Sequence, residues 1–437
     1  MILEDYIFRN AELFSEKTAV ICDDKKLSYG ELANSVKLRA NDFSGFKKAS
    51  VVVFRASQDI NFLITYFAIH ISGLVAAPLE KDIPAQRFEE IREKLSTYIP
   101  PKSTADILYT TGTTGKSKGV IISHKTILAN AENLIEGQGF SHDLGFVITG
   151  PLNHIGSLSK IYPIIIKGAT LIITEGMKDV NTFFNALDLP IKKMATFLVP
   201  SAIRILIQFS KEKLLSRAEK IDFIETGAAP ISKADMKHLC EILPKSRLYN
   251  TYASTETGII STYNFNDQEC IAGCLGKPMK HSKIIITEEG LISCQGDTLM
   301  SGYALDEELT AKILKNNTVY TSDFGLLDEK GRLRLLGRQD DVINTGGFKV
   351  APTEVENVAM SIPEIAECIC VSTPHILLGN ALKLIYVVKN GENITKKTIA
   401  LYLKSHLETF KVPIFYEESD AIKRTFNGKI DRKYYKK

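Results

Sequence analysis

The sequence predicts a layered α/β fold that ends in a separate, compact α+β unit. Three observations carry this expectation. Apolar runs of strand length alternate with amphipathic helical runs through most of the chain, as α/β layers require. At 437 residues the chain is too long for one hydrophobic core and calls for two or three domains. Near Gly337 the alternation gives way to a shorter helix–strand–strand–helix pattern.

Taken in order, residues 51–54 (VVVF) read as a strand. Residues 62–79 form the longest apolar stretch. His70, Gly73 and Pro78 interrupt it, so it predicts a buried helix running into a strand and not a membrane span. Residues 86–95 have helical spacing and lead through Pro100 and Pro101 almost directly into a short strand at 107–109. Strands follow at 120–122, 170–173 and 196–199, and helices at 202–209 and 233–243. Beyond Gly337 the pattern predicts a helix over 353–360, strands over 367–371 and 384–388, and a helix over 397–410.

Composition narrows the function classes. Hydrophobic content of 44% and charged content of 24% are those of an ordinary globular protein, and a net charge of +3 gives no reason to expect a nucleic-acid partner. The seven cysteines form no paired framework. Cys270/Cys274 and Cys368/Cys370 lack the spacing of zinc sites, and the nearest downstream histidines, His281 and His375, are isolated. The opening residues MILEDYIFRN have neither a basic leader nor an apolar core. These features predict a cytoplasmic chain with reduced thiols and no membrane insertion.

The chemistry is most legible at residues 107–119, ILYTTGTTGKSKG. Glycines let a backbone curl around an oxyanion, hydroxyls and N–H groups donate to it, and lysines balance its charge. The run fails the register of a kinase-type phosphate loop, because Thr110 stands five before Gly115 where that motif needs glycine. It resembles instead the Thr/Ser/Gly-rich loop of the adenylate-forming enzymes, which include acyl-CoA synthetases, peptide-synthetase adenylation domains and luciferases. Further segments resemble the same superfamily in the same order: LSYGEL (27–32), SGLVAAPL (72–79), GAAP (227–230), YNTYASTETG (249–258), GLISCQGDTLMSGY (290–303), YTSDFG (320–325), GRQDDVINTGGFKVAPTEVE (337–356) and KRTFNGKIDR (423–432). The resemblance spans nearly the whole chain. It departs from the usual pattern at Ala253 and Ser322, where relatives carry glycine, and at Lys349, where some carry arginine.

The resemblance implies a large N-terminal AMP-binding domain (1–339), with a trimmed N-terminal subdomain, and a small mobile α+β lid domain (340–437). The trimming is inferred from the interval between Leu79 and Ile107, which is short of a further strand-and-helix unit. It also implies site residues. Thr110, Thr111, Gly112, Thr113, Thr114, Gly115 and Lys118 would hold the phosphates of ATP. Gly227, Ala228 and Ala229 would lie beside adenine, with Tyr252 offering an aromatic face. Asp323 would accept from the ribose diol, with Arg338 reaching ribose or phosphate. Glu256, with Thr255 beside it, would be the carboxylate for Mg2+. Lys429 would bridge carboxylate and phosphate oxygens, since two anions must approach each other. Asp340 matches the hinge, and Gly346 and Gly347 would line a pantetheine tunnel; a tight turn of positive φ would use the same two glycines.

PLNHIGSLS (151–159) resembles a segment of acyl- and aryl-CoA ligases, o-succinylbenzoate–CoA ligase among them. It makes His154 a wall or gate of the acid pocket, or a satisfied core histidine. No aspartate lies between Val147 and Lys160 to pair with an α-ammonium group. Ile155, Ser157, Val199 and Thr226 suggest a moderately apolar pocket. The expected reaction is activation of a small carboxylic acid as its acyl-adenylate, followed by thioester formation with coenzyme A. The alternatives are loading of a carrier protein's phosphopantetheine arm and a nucleotide-binding homologue without catalysis.

Overall fold

The computed structural model describes residues 1–437 except 111–116, 178, 268, 426–429 and 436–437. Its larger part is built on two sheets. In the first, six strands run parallel in the order Arg247–Ser254, Ile221–Thr226, Lys193–Leu198, Leu144–Ile148, Thr170–Ile173 and Thr18–Cys22. Leu144–Ile148 and Thr170–Ile173 are buried along their whole length, as central parallel strands are when helices cover both faces. Alternation places Phe146 and Ile148 in one core with helices His124–Gln138 and Ile155–Lys167. Val147 points into the other core, with helices Val180–Asp188, Pro200–Phe209 and Lys233–Ile242. Beyond Arg247–Ser254 the sheet continues with antiparallel strands through Leu333–Arg338 and Thr318–Leu327.

The second sheet has the order Gly302–Tyr303, Lys118–Ser123, Thr104–Thr110, Val75–Leu79, Val51–Arg55. Its last three strands are parallel, and Lys118–Ser123 returns antiparallel to Thr104–Thr110. Helix Ile60–Ile71 buries most of its length against the first core. The single helix Ala85–Ser96 makes the crossover from Val75–Leu79 to Thr104–Thr110, which is the shortened connection read in the sequence.

The smaller part begins after Arg338. A short 3-10 turn, Gln339–Asp341, leads into the hairpin Ile343–Thr345/Phe348–Val350, whose Ile343 and Val350 enter a separate core with Val355, Leu384 and Leu403. That core lies between helices Pro352–Ala359 and Lys396–His406 and the antiparallel pair Ile365–His375/Gly379–Val388, to which Phe415–Glu418 adds in parallel.

Element edges differ from the sequence reading where a local cap decides them. The strand expected at 196–199 runs as Lys193–Leu198, because Val199 caps a helix that opens on Pro200. The helix expected over 397–410 stops at His406, where Leu407 turns extended and a 3-10 turn, Thr409–Lys411, follows. Among the described residues no helix is long and apolar enough to cross a membrane.

Candidate functional site

The C-terminal ends of the parallel strands open into a cleft of about 1940 Å³ that also meets the smaller part of the chain. Ligands of open α/β sheets bind at such strand ends, because the loops there converge while the strands hold them still. Thr110, Lys118, His154, Gly227, Ala228, Ala229, Tyr252, Thr255, Glu256, Asp323, Arg338 and Asp340 all line it.

At one end, strand Ile221–Thr226 runs into Gly227 and Ala228. A Cβ on Gly227 would stand 3.0 Å from the Thr251 carbonyl oxygen, so the two strand ends approach closely only with glycine. Ala228 has φ 64°, a left-handed conformation that costs an L-residue roughly 1–2 kcal/mol and is held here by its surroundings. Beside this turn, the Tyr252 hydroxyl donates to Asp323 Oδ2 over 2.8 Å. Arg338 Nε lies 3.0 Å from Asp323 Oδ1 and directly across the strand pair from it. Burial first, and the Asp323 charge second, push the Tyr252 hydroxyl well above its ordinary pKa, so it stays a donor. Ser322 lies inside strand Thr318–Leu327, where no positive φ is needed.

Glu256 sits in the turn between Arg247–Ser254 and Gly258–Asn264. The Ser254 hydroxyl caps this turn by accepting from the Thr257 N–H over 3.0 Å, and the Glu256 carbonyl accepts from the Met300 N–H over 2.9 Å. Gly258, at φ 69°, closes the turn; a Cβ there would meet the Thr298 carbonyl at 2.5 Å. Tyr303 donates to Glu256 Oε1 over 3.0 Å, and burial and then the Glu256 charge raise its pKa. Lys118 Nζ lies 5.7 Å over the Tyr303 ring, and Thr110 is opposite Lys118 in register. Thr111, Gly112, Thr113, Thr114 and Gly115 lie outside the described residues, as does Lys429. Flanking Lys429, Arg424 and Ile430 form a β-bridge, and Arg424 lines the cleft.

At the other end of the cleft, His154 caps helix Ile155–Lys167 in an extended conformation, with Nε2 3.8 Å from Glu80 Oε1. The histidine is the largest cause holding the Glu80 carboxyl below its ordinary range. Ile155, Ser157, Phe197 and Val199 line this end; Thr226 is buried and is not part of the lining. Two residues that sequence reasoning missed also stand there. Lys160 Nζ donates to Glu225 Oε1 over 2.9 Å with both side chains 1% exposed, and the ammonium lies 5.4 Å over the Phe197 ring. A lysine inside an otherwise apolar helical run was the available signal, but its partner is remote in sequence.

Gly346 and Gly347, with φ 57° and 87°, form the two-residue turn of the hairpin, as both-positive φ values favour. They are not among the residues lining the cleft. The two parts of the chain are joined by charge. Arg204, on helix Pro200–Phe209, donates through Nη2 to Asp235 Oδ2 over 2.7 Å and through Nη1 to Glu367 Oε1 over 3.1 Å. Arg424 donates to the same Glu367 oxygen, so one carboxylate of the smaller part holds two guanidinium groups.

A family model described as AMP-binding enzyme matches residues 92–304, and one described as AMP-binding enzyme C-terminal domain matches residues 354–429. A long-chain-fatty-acid–CoA ligase of Escherichia coli is 28% identical, over 77% of this chain and 62% of the relative. The chain thus spans about three fifths of the length of that relative. An indoleacetate–CoA ligase of Aromatoleum aromaticum is 26% identical over 98% of this chain and 96% of its own, and a 2-succinylbenzoate–CoA ligase of Bacillus cereus is 25% identical over 94% and 93%. Among solved structures, ATP-bound MatB from Rhodopseudomonas palustris superposes with a TM-score of 0.88 at 21% identity, covering 100% of this chain and 99% of that one. The anthranilate CoA ligase AuaEII in complex with anthranoyl-AMP gives 0.88 at 16% identity, covering 100% and 96%. These superpositions share the α/β architecture of large sheet-rich part and small C-terminal part.

Proposed function

The chain belongs to the AMP-binding enzyme family, and on that premise we propose that it is an AMP-forming acid–thiol ligase. It joins a small carboxylic acid to ATP as the acyl-adenylate and passes the acyl group to coenzyme A. The observation that carries this reading is the convergence, in one cleft, of the Tyr252–Asp323–Arg338 set with the Glu256–Tyr303–Lys118 set.

Chemistry explains why one set for the nucleoside and one for its charged phosphates are needed. A carboxylate is a poor electrophile, because displacing its oxygen requires an oxide-like leaving group. Attack of a carboxylate oxygen on the α-phosphorus of ATP forms the acyl–O–P bond and releases pyrophosphate. A thiolate sulfur then attacks the acyl carbon, the C–O bond breaks, and AMP leaves. Attack brings two anions together, so fixed positive charge and positioning lower the barrier. Asp323 accepts from the ribose hydroxyls while Tyr252 and Arg338 hold its carboxylate in place. The Gly227–Ala228 turn lets a flat base lie against the backbone. Thr110 and Lys118, with the segment 111–116, hold the phosphate chain, and Lys429 neutralises the approaching carboxylate.

Glu256 suits a hard divalent cation: it is a cleft-lining carboxylate whose Oε1 is held by Tyr303. Mg2+ bound there with phosphate oxygens would screen the charge of the nucleotide. The acid lies toward His154, Phe197 and Val199, a surface suited to an aryl or short acyl chain. The domain division falls at 339/340, and Asp340 is the pivot about which the small domain turns between the two steps. That turn brings Gly346 and Gly347 to the path of the pantetheine thiol.

Acid-dependent exchange of labelled pyrophosphate into ATP tests the first step. Exchange with at least one aryl, acyl or amino acid of a pooled panel is the expected result. Its absence with every acid, while ATP still binds, would leave a nucleotide-binding homologue without catalysis.

A further inference from the structure

Outside the residues that line the cleft, a second polar cluster is closed within the N-terminal half. Glu4 stands at the head of helix Asp5–Phe14, His70 near the end of helix Ile60–Ile71, and His124 at the start of helix His124–Gln138. One ligand atom from each of the three lies within 4.8 Å of the others. We propose that Glu4, His70 and His124 hold a divalent transition-metal ion, zinc first among them, which clamps the N-terminal helix to the sheet beneath.

The donor set fits that ion. Two imidazoles and one carboxylate, with a fourth position for water, make a recurrent zinc set, with ligand distances of about 2.0–2.2 Å. Ligands at that distance around a tetrahedral ion stand roughly 3.3–3.6 Å apart. Glu4 Oε1 stands 2.7 Å from His70 Nδ1, so a shared ion would part this pair by small side-chain rotations.

Two buried atoms at the cluster have no hydrogen-bond partner among the described residues: Glu4 Oε2 and His124 Nδ1. Leaving such atoms unsatisfied is costly, and a cation shared between them removes both costs. Charge points the same way. The Glu4 side chain is wholly buried, with Oε1 2.7 Å from His70 Nδ1. Asp106, on strand Thr104–Thr110, faces the other ring nitrogen, with Oδ1 3.1 Å from His70 Nε2 and no exposure. Two buried carboxylates against one imidazole leave negative charge uncompensated even when that ring is protonated.

The surroundings of His70 are those of a metal ligand. Metal-bound histidines donate their second ring N–H to a carboxylate or carbonyl, which fixes the tautomer and aims the free nitrogen at the ion. His70 Nε2 has both, Asp106 Oδ1 and the Ala105 carbonyl at 3.2 Å, and this leaves Nδ1 toward Glu4. Asp106 is itself oriented by the Tyr66 hydroxyl, which donates to Oδ2 over 2.9 Å. His124 is only partly buried, which leaves a route from solvent. The site also lies behind both strands that flank residues 111–116, since Asp106 is on one and His124 directly follows the other.

The test uses the full chain, stripped with EDTA and reloaded with ZnCl2 or CoCl2. After gel filtration the wild type should retain roughly equimolar zinc, and the cobalt form should show the intense visible bands of a tetrahedral site. Zinc should raise the unfolding midpoint of the stripped protein by several degrees. His124→Ala, at a partly buried position, and Glu4→Gln should each lose the stoichiometric metal and the cobalt bands. His406→Ala, on the surface of the small domain, should keep both. Should either variant fail to fold, the wild-type cobalt spectrum and the zinc-dependent midpoint still decide the matter. No retained metal, or metal retained equally by His124→Ala, would overturn the proposal.

Discussion

Arg204 Nη1 donates to Glu367 Oε1 over 3.1 Å and thereby ties the helix Pro200–Phe209 of the large part to the strand Ile365–His375 of the small part. Arg424, on the segment leading to Lys429, binds the same oxygen. The bridge therefore holds one arrangement of the two parts, and any turn about Asp340 has to open it. Charge-assisted hydrogen bonds of this kind contribute about 1.5–3 kcal/mol. Glu367→Gln should slow adenylate formation severalfold and leave transfer from preformed acyl-adenylate to CoA unchanged or faster, as read by rapid quench. Equal slowing of both steps would remove the bridge from the cycle.

Asp323 is the acceptor on which Tyr252 and Arg338 both depend. Asp323→Ala should raise KM for ATP by roughly tenfold or more through loss of the ribose contact. It should also lower stability by about 1–3 kcal/mol, because the Tyr252 hydroxyl would be left buried and unpaired. Adding Tyr252→Phe to that variant should recover much of the stability and none of the KM. Isothermal titration with ATP and urea unfolding separate the two effects.

The ion pair Lys160–Glu225 lies at the His154 end of the cleft with both side chains almost fully buried. Removing one partner leaves a buried charge, which costs about 3–5 kcal/mol. Lys160→Met alone should therefore destabilise strongly, and Lys160→Met with Glu225→Leu should be closer to wild type than either single change. Additive losses in a double-mutant cycle would contradict the coupling.

His154 and Glu80 predict a pH effect of defined sign. The Glu80 carboxyl is held below its ordinary value of 4.5, first by the His154 ring 3.8 Å away. A lowered folded pKa contributes stability that is fully present above the unfolded value and is lost as pH falls through the folded one. His154→Ala should move the Glu80 titration upward in a carboxyl-resolved NMR titration. An unmoved titration would show that the backbone, and not His154, sets it.

Lys429 is expected to neutralise the approach of carboxylate to phosphate. Lys429→Ala should nearly abolish pyrophosphate exchange and leave ATP binding largely intact. Near-normal exchange would take the lysine out of the mechanism.

How far the sequence could be read depended on the range of the interactions. Gly227, Tyr252, Asp323 and Glu256 were each singled out from a short segment, and all four line one cleft. Gly227 and Tyr252 arrive there on neighbouring parallel strands, whereas Asp323 arrives on an antiparallel one. The crossover helix Ala85–Ser96 was legible from its spacing and from the short interval to Ile107. Helix ends were not, because Leu407 stops a helix by turning extended without glycine or proline. Nor were the pairs Lys160–Glu225, Arg204–Glu367 and Glu4–His70, whose partners meet only after folding. A lysine or histidine in an apolar run signals that a partner exists but not where it lies. Tyr303 was read as the end of a segment, and only the pairing of Gly302–Tyr303 with Lys118–Ser123 places its hydroxyl on Glu256.

The most direct test of the assigned chemistry is AMP release from ATP and Mg2+ with a pooled panel of aryl, acyl and amino acids, run with and without CoA. Acid-dependent AMP that rises strongly with CoA, with a matching thioester in the products, is the predicted result. Acid-dependent AMP indifferent to CoA would contradict a CoA ligase and direct attention to a carrier-protein thiol, and no AMP with any acid would contradict the adenylating reaction itself.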